Sequence, residues 1–250
     1  FIFLALVPII GVEVKGSKRW VDLLFLPRFQ PIEVLKPFII IMVASILSSG
    51  KSSNTYYKYF LSFILIAPII FFLITQPDVG QTFLVILTWL SLVFISGINL
   101  TIFFIFFGLI LFLLLYLIFF IPKFSYILVR FKSFFDPSSG NNYQSEKASE
   151  AIINGGFFGK GIGEGVLKNR VPEAHTDYIV SVISEEFGAI IIIFLMFIFL
   201  LFIYLVVKKL YLEKNDKIRL ILVGSISIVL FQAIIHIGVN IRLFPTTGMT

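Results

Sequence analysis

A single aspartate, Asp177, is the best candidate for proton transfer in this sequence. It falls where a helix over residues 178–207 is predicted to begin, and Thr176 suits the N-cap, which places Asp177 in the first helical turn. A carboxylate there can act as a general base, and it can equally serve only as a helix cap. A polar stripe that descends from it into an apolar helix is costly in lipid, so it is expected to line a cavity. The stripe comprises Ser181, Ser184, Glu185 and Gly188, which share one helical face with Asp177.

An acid and a base stand three residues apart near the start of another predicted helix. Pro31 suits the first helical turn, and Glu33 and Lys36 then lie side by side at positions i and i+3. One interpretation is an ion pair that anchors the helix end. The other is functional: both groups face the same cavity as Asp177, and Lys36 is available to a phosphate oxygen.

Three more residues could meet an anionic ligand or shape its cavity. Arg19 matches phosphate geometry bidentately, and the adjacent Trp20 is at home at a membrane interface, although either role is ordinary alone. Asp78 lies in Gln76–Gly80 between two apolar stretches, where it is either a turn-former or a cavity carboxylate.

Lys160 stands in a glycine-rich run, Gly155–Gly163. This run is not a P-loop, because neither Ser nor Thr follows the Gly-Lys pair and no strand precedes it. It is predicted to form a tight, re-entrant loop whose backbone can approach a ligand. His175 is a candidate proton shuttle, although a lone His beside an Asp more often makes a local hydrogen bond.

The composition determines what kind of molecule must position these residues. Of 250 residues, 58% are hydrophobic and 14% are charged, whereas soluble domains carry roughly 25% charged residues. A soluble globule is therefore excluded, and most of the outer surface is expected to face lipid. With no Cys and only two His, the chain has neither disulfides nor a thiolate or His-rich metal centre.

The fold class predicted from the charge pattern is all-α, a polytopic transmembrane helical bundle. A spanning helix needs about 20 apolar residues, and stretches such as 102–121 are apolar on every face, unlike a barrel strand. Six spans and the remnant of a seventh are expected. They cover residues 1–10, 31–49, 59–77, 79–122 as two spans broken at Gly97–Asn99, 187–207 and 220–241.

Basic residues orient the spans. The loop with Lys51 and Lys58 and the loop from Lys208 to Arg219 fall on one side, which is assigned to the cytoplasm. The long loop of residues 123–176 is then extracytoplasmic. A loop of that length is more typical of a functional segment than of a simple linker. Residues 1–250 are treated as one integral membrane domain, truncated at both ends, with its chemistry on the extracytoplasmic face.

Eight segments, in order along the chain, resemble motifs of the SEDS family, the shape, elongation, division and sporulation proteins. The segment Pro172–Asp177, preceded by Glu164–Gly165, resembles the division branch represented by FtsW more than the elongation branch represented by RodA. The resemblance implies a fold of about ten spanning helices of about 20 residues each, of which roughly seven fall in this chain. The segments are Gly16–Asp22, Gln30–Lys36, Gln76–Gly80, Tyr143–Gln144, Gly155–Gly163, Pro172–Asp177, Glu185–Gly188 and Pro245–Gly248.

The resemblance also implies an activity, that of a peptidoglycan glycosyltransferase that polymerises lipid II at the outer face of the bacterial cytoplasmic membrane during cell division. A class B penicillin-binding protein and other division proteins are the expected partners, with membrane lipid around the helices and no nucleic acid. The reaction inverts the donor sugar without a covalent enzyme intermediate, Asp177 is the catalytic base, and a divalent cation, Mg²⁺ or Mn²⁺, is an optional aid. The residues expected at the substrate are Arg19, Trp20, Glu33, Lys36, Asp78, Gln144, Lys160 and His175.

Three alternatives stay open at this point. A lipid II flippase also needs a polar cavity, but its charges would follow a path near the bilayer midplane, whereas Asp177, Glu33 and Arg19 are predicted near the outer boundary. A non-catalytic scaffold would need only the apolar outer surfaces to recruit a transpeptidase. The third is the elongation branch of the family. The net charge of +6 reflects membrane topology and affinity for a lipid pyrophosphate.

Overall fold

The chain folds into two compact units. The computed structural model describes residues 2–14, 17–23, 26–49, 55–135, 143–170, 174 and 176–245. The first unit comprises residues 1–124 and 209–229, and the second comprises residues 125–208 and 230–250. The expectation of one membrane domain stays a prediction.

The described part of the first unit is mostly helical. Its elements, in chain order, are α1 (Ile2–Ile10), β1 (Val12–Val14), β2 (Ser17–Leu23), β3 (Leu26–Phe29), α2 (Pro31–Leu47), α3 (Thr55–Thr75), α4 (Val79–Ile95), α5 (Leu100–Phe120) and a 3-10 turn (Pro122–Phe124). The second unit contains α6 (Ser125–Phe135), α7 (Tyr143–Gly155), α8 (Leu167–Arg170), α9 (Ile179–Phe187) and most of α10 (Ala189–Leu212). The helix α11 (Asp216–Asn240) begins among residues of the first unit and ends among residues of the second.

The helices coincide with the spans predicted from charge-free stretches, so the all-α membrane fold is confirmed. Within the described residues, four helices are long and apolar enough to cross a membrane, namely Tyr56–Thr75, Leu100–Phe120, α10 and α11. The shorter α4 is also apolar, and the predicted break at Gly97–Asn99 separates it from α5. Asn99 begins α5 by accepting a hydrogen bond from the Thr101 N–H at 2.9 Å.

A small antiparallel sheet between α1 and α2 was not predicted from the sequence. The strands pair in the order β1-β2-β3, with Val12 opposite Trp20 and Val21 opposite Phe29. They are only three to seven residues long, and strands this short leave little alternation to recognise in a connecting segment. The sheet packs against α1 and α2 through β2, and this packing positions Arg19 next to the helices.

The core of the first unit lies where α2, α3 and α4 pack against each other. Trp89 on α4 is almost fully buried there, and its indole Nε1 donates to Ser62 Oγ on α3 at 3.1 Å. Its ring packs against Phe63 and Phe106. The buried indole therefore has its only donor satisfied, as a group removed from water requires.

The core of the second unit lies between α7 and α9. Ala148 and Ala151 on α7 are buried against the side of α9 that carries Tyr178 and Val182. Gly155 allows α7 to approach α9 very closely, because a Cβ added there would stand 2.1 Å from the Ser184 carbonyl oxygen. The described part of the predicted long loop of residues 123–176 thus contains helices of its own, and α7 and α8 contribute to this core.

The helix predicted over residues 178–207 is wrong in one respect, because it breaks at Gly188. This residue ends α9 with φ 80° and ψ 177°, and α10 begins at Ala189. That backbone conformation is accessible essentially only to glycine. The break leaves α9 as a short helix of nine residues, outside the spanning helix α10.

Candidate functional site

Asp78 is the centre of a buried polar network in the first unit. It lies in the turn between α3 and α4, is 0% exposed, and caps α4 by accepting the Gln81 N–H at 3.3 Å. Its other carboxylate oxygen accepts the Gln30 side-chain amide at 2.6 Å. Its backbone carbonyl accepts the Thr82 hydroxyl at 2.7 Å. Asp78 therefore lies in the turn and caps α4, and its role as a cavity carboxylate at the substrate stays a prediction.

Arg19, on β2, donates hydrogen bonds to the same turn. Its Nε donates to the Gln76 carbonyl at 3.3 Å, another guanidinium N–H donates to the Pro77 carbonyl, and NH1 stands 4.0 Å from Asp78 Oδ1. Gln76 in turn donates its side-chain amide to the Leu4 carbonyl at 3.0 Å. The guanidinium is thus engaged with the turn in this conformation, and its contact with an anionic substrate stays a prediction.

Two opposing influences act on the ionisation of Asp78, which lies outside the flanking helices. Burial raises the pKa of its carboxyl group, because a charge is unfavourable away from water. The Arg19 charge, the Gln81 N–H, the Gln30 amide and the Lys36 charge oppose the rise and lower the pKa. Burial is the largest of these influences, so the pKa of Asp78 is raised overall.

Glu33 and Lys36 form the ion pair that their spacing predicts. Lys36 Nζ stands 2.8 Å from both carboxylate oxygens of Glu33. The lysine side chain is only 6% exposed, while that of Glu33 is 38% exposed. Gln81 joins the pair from α4 by donating its side-chain amide to Glu33 Oε1 at 2.6 Å. The pair is therefore anchored to the same helix start that Asp78 caps.

This arrangement offers a partly open carboxylate that orients a buried ammonium. Lys36 also lines a small apolar cavity between α2, α3 and α4, together with Thr88 and Trp89. An ammonium held in an apolar wall interacts more strongly with a phosphate oxygen than one in water. Chemically, the first unit can thus supply a fixed cation.

Asp177 lies just ahead of α9 rather than in its first turn. The helix begins at Ile179, and Tyr178 at its N-cap makes no side-chain capping bond. The Thr176 backbone carbonyl accepts the Ile179 N–H at 3.4 Å, so the predicted N-cap at Thr176 is wrong by two residues. Asp177 is 8% exposed, so the residue lies in a buried turn.

Asn240, at the end of α11, fixes this turn. Its side-chain amide nitrogen donates to the Asp177 backbone carbonyl at 2.8 Å. Its Oδ1 accepts the Ser181 N–H at 2.9 Å and the Ser181 hydroxyl at 2.6 Å. Because α9 lacks a capping side chain of its own, Asn240 satisfies one of its free N–H groups from another helix. Asn240 thus joins the end of α11 to the start of α9 by side-chain hydrogen bonds.

The polar stripe below Asp177 is buried, and the cavity that it is expected to line stays a prediction. Ser181, Ser184 and Glu185 are all nearly inaccessible. Glu185 Oε2 accepts the Leu167 N–H at 2.9 Å, and its Oε1 stands 3.6 Å from Lys160 Nζ. Lys160 is therefore paired within the second unit, and its proposed contact with substrate stays a prediction.

The other predicted site residues are less informative. Trp20 is half-buried on β2, and Gln144 is half-buried in the first turn of α7. His175 lies outside the described residues. Within the described ranges, no group of three or more Asp, Glu or His side chains could hold a metal ion. The optional divalent cation stays a prediction.

Two glutamines belong to the network and were not predicted from the sequence. Gln30 and Gln81 each bind a carboxylate that lies 48 positions away along the chain. A signal was present for Gln81, because it is an amide in a stretch without charges, where each polar side chain needs a partner. Gln30 directly precedes Pro31, and nothing in its local pattern distinguishes it from a loop residue.

A sequence comparison matches all of the chain, residues 1–250, to the family described as "Cell cycle protein", which groups FtsW, RodA and SpoVE. The probable peptidoglycan glycosyltransferase FtsW of Caulobacter vibrioides is 32% identical over 97% of this chain and 61% of its own length. The protein of the same name from Nitrosomonas europaea is 33% identical over 100% of this chain and 66% of its own length. The chain thus spans about two thirds of the length of these relatives.

Solved structures show the same fold. A chain from the work "Structural coordination of polymerization and crosslinking by a peptidoglycan synthase complex" superposes with a TM-score of 0.76. It is 24% identical, and the match covers 100% of this chain and 70% of its own. The rod shape-determining protein RodA of Thermus thermophilus gives a TM-score of 0.66 at 23% identity, covering 100% of this chain and 66% of its own.

Proposed function

We propose, because the chain belongs to the FtsW/RodA/SpoVE family, also called SEDS, that it is the central part of a peptidoglycan glycosyltransferase. The proposed reaction is the polymerisation of lipid II at the outer face of the cytoplasmic membrane. The names of its relatives support the activity. The observation that carries the proposal at residue level is Asp177, a buried carboxylate in a fixed turn at the start of a polar stripe.

The proposed chemistry begins with a poor nucleophile. A sugar hydroxyl of the acceptor attacks the anomeric carbon of the donor, the new glycosidic bond forms, and the bond from that carbon to the lipid pyrophosphate breaks. The pyrophosphate leaves with the bonding electron pair, and the hydroxyl proton passes to the Asp177 carboxylate. Attack opposite the leaving group inverts the anomeric centre and needs no covalent enzyme intermediate.

The leaving pyrophosphate accumulates negative charge, which a fixed cation can stabilise. Lys36 is the proposed contact, because its ammonium is held at 2.8 Å by Glu33 in a largely buried position. Glu33 is the orienting partner. We assign Arg19 and Asp78 a supporting role through the turn that positions Gln81, and direct contact of Arg19 with phosphate is secondary to it.

The division branch, the partner and the location are finer parts of the proposal. The curated relatives quoted above are FtsW proteins, which favours division over elongation. A class B penicillin-binding transpeptidase is the proposed partner, because the peptidoglycan synthase complex that shares the fold couples polymerisation with crosslinking. Asp177 is proposed to face the periplasm or cell exterior, in line with the basic loops assigned to the cytoplasm.

The test is Asp177→Asn in the full-length protein, purified with its transpeptidase and supplied with lipid II. Loss of a general base is expected to slow glycan polymerisation by about 10²- to 10⁴-fold. Asp22→Asn is the matched control, because Asp22 lies on the exposed face of β2 and pairs only with the exposed Arg28 in the described structure. It should polymerise at the normal rate.

The outcomes separate the alternatives. Normal polymerisation by Asp177→Asn would exclude the general-base role. Abolished polymerisation with intact complex formation would exclude a mere scaffold. A liposome assay in which lipid II crosses the bilayer independently of Asp177 would instead support a flippase.

A further inference from the structure

The glycine loop, Gly155–Gly163, exposes large apolar side chains that no part of the proposed chemistry uses. Phe157 is 66% exposed, Phe158 is 82% exposed and Ile162 is 79% exposed. They lie within six residues of one another on a loop outside the helices. A cluster of this kind on an aqueous surface is unfavourable and marks an interaction site.

The backbone of the loop is firmly fastened to α9. The Lys160 N–H donates to the Glu185 carbonyl at 2.9 Å, and the Gly161 N–H donates to the Glu186 carbonyl at 3.1 Å. A Cβ at Gly159 would stand 2.2 Å from the Glu186 carbonyl oxygen, so the two backbones touch. The exposed phenyl rings are therefore held outward by a fixed backbone rather than by a loose segment.

The loop is also joined to the first turn of the spanning helix α10. The Ala189 N–H donates to the Gly156 carbonyl at 2.9 Å, and the Ile190 N–H donates to the Phe157 carbonyl at 3.3 Å. The loop thus satisfies two of the free N–H groups at the start of that helix. Because α10 is long and apolar enough to cross a membrane, the loop is expected to lie at the depth at which this helix enters the bilayer.

The surface of α10 is apolar and exposed, as is typical of a helix that faces lipid. None of its side chains is buried, and it begins with an unbroken apolar run in which Ile190, Ile193 and Phe194 are all more than half exposed. Phe157 and Phe158 are attached beside that surface through the two hydrogen bonds to Ala189 and Ile190. The apolar loop surface therefore continues the lipid-facing surface of the helix.

We propose that the glycine loop is a membrane-contacting element and that Phe157, Phe158 and Ile162 insert among the acyl chains of the adjacent leaflet. With the predicted orientation this is the outer leaflet. Lys160 fits such a position, because it sits between the apolar residues and its ammonium is held by Glu185 with 37% of the side chain exposed at the interface. The occupant of this surface is bilayer lipid, not protein and not the polyprenyl chain of a substrate.

The absence of Cys from the chain makes a depth measurement direct. Single cysteines are introduced by Phe158→Cys, by Phe194→Cys as the lipid-facing reference, and by Glu150→Cys as the exposed charged control on α7. Each is spin-labelled in the full-length protein, which is reconstituted in phosphatidylethanolamine–phosphatidylglycerol liposomes without polyprenyl lipid. Collision rates are measured with oxygen, which concentrates in hydrocarbon, and with a water-soluble nickel chelate.

The label at residue 158 is expected to favour oxygen over nickel, as the label at residue 194 does, whereas the label at residue 150 favours nickel. A label at residue 158 that matches the label at residue 150 overturns the proposal. The proposal is also overturned if the label at residue 158 becomes protected from both oxygen and the nickel chelate only after the transpeptidase is added. That result would identify a protein interface. Phe157→Cys repeats the measurement if the first variant does not fold, and none of these readouts depends on glycosyl transfer.

Discussion

Gln81 connects the two charged clusters of the first unit. Its backbone N–H reaches Asp78 and its side-chain amide reaches Glu33, while its Oε1 is buried without a hydrogen-bond partner among the described residues. A buried acceptor without a partner is unfavourable, and here it belongs to the residue that orients the Glu33–Lys36 pair. We infer that the donated hydrogen bond outweighs the unsatisfied oxygen.

Substitution of Gln81 should separate these two effects. Gln81→Leu removes the donor together with the unsatisfied acceptor, so a loss of stability of about 1 kcal/mol or less is expected. Gln81→Glu removes the same donor and places a second carboxylate beside Glu33, so like-charge repulsion should make it more destabilising than Gln81→Leu. Thermal unfolding in detergent measures both variants, and a midpoint for Gln81→Glu equal to that of Gln81→Leu would contradict this explanation.

Asn240 determines the position of Asp177 without being acidic or basic itself. Asn240→Ala removes four hydrogen bonds from a fully buried side chain, including one to the His236 carbonyl, and leaves the Ser181 N–H and the Asp177 carbonyl without this partner. We expect a loss of about 2–4 kcal/mol and reduced polymerisation even though the Asp177 carboxylate is intact. Ser181→Ala removes only the hydroxyl bond and should cost about 1 kcal/mol. If both variants had the same midpoint of thermal unfolding, the proposal that Asn240 stabilises the start of α9 would be contradicted.

The contacts of individual side chains were predictable where the partners are close in sequence. The Glu33–Lys36 pair follows from helical spacing, and the burial of Ser181, Ser184 and Glu185 follows from a shared face. The partners of Asp78 and Glu33 were not predictable, because Gln30 and Gln81 meet them only after the sheet and α2 have packed against the turn before α4. Long-range hydrogen bonds of an uncharged side chain leave no local pattern.

At the level of elements, the break between α9 and α10 is the main departure from the sequence-based prediction. Residues 178–207 have the apolar pattern of one helix, and a single Gly gives little warning of an interruption. The cause is tertiary: the glycine loop occupies the space beside Gly188, with the Phe157 carbonyl 2.2 Å from where a Cβ would be. The three-stranded sheet was missed for a similar reason, since short strands depend on their partners.

Gly188→Ala, at the break between α9 and α10, should therefore be far more damaging than Gly156→Ala in the glycine loop. Both have positive φ, but nothing lies within 4 Å of a Cβ at Gly156. Gly156→Ala should cost about 1–2 kcal/mol, the usual cost of a left-handed L-residue. At Gly188 the backbone clash adds to a conformation closed to alanine, so loss of folded protein is expected. The yield of monodisperse protein and its thermal midpoint test this, and a mild effect at Gly188 would argue for a continuous helix instead.

At the scale of the whole molecule, the apolar spans follow directly from the sequence. Charge-free stretches predict each long helix to within a few residues, because lipid permits no unpaired backbone group between its ends. The orientation rests only on the distribution of Lys and Arg, so it requires a direct test.

Impermeant labelling of single cysteines provides that test. Lys214→Cys lies in the basic loop assigned to the cytoplasm, and Glu150→Cys lies on the exposed side of α7, in the segment assigned to the outside. In intact cells whose outer barrier has been removed, a membrane-impermeant maleimide should label residue 150 and should label residue 214 only after lysis. The reverse pattern would invert the topology and place Asp177 on the wrong side for lipid II polymerisation.

The two tryptophans have very different surroundings, and this has a spectroscopic consequence. Trp89 is enclosed by Phe63 and Phe106 with its indole bound to Ser62, whereas Trp20 is half-buried on the sheet. An indole emits at shorter wavelengths when water is excluded, so the intrinsic emission of this chain should divide into a blue component from the helical core and a redder one from the sheet. The order in which the two components shift during unfolding would then report whether the sheet separates before the helices, without any label.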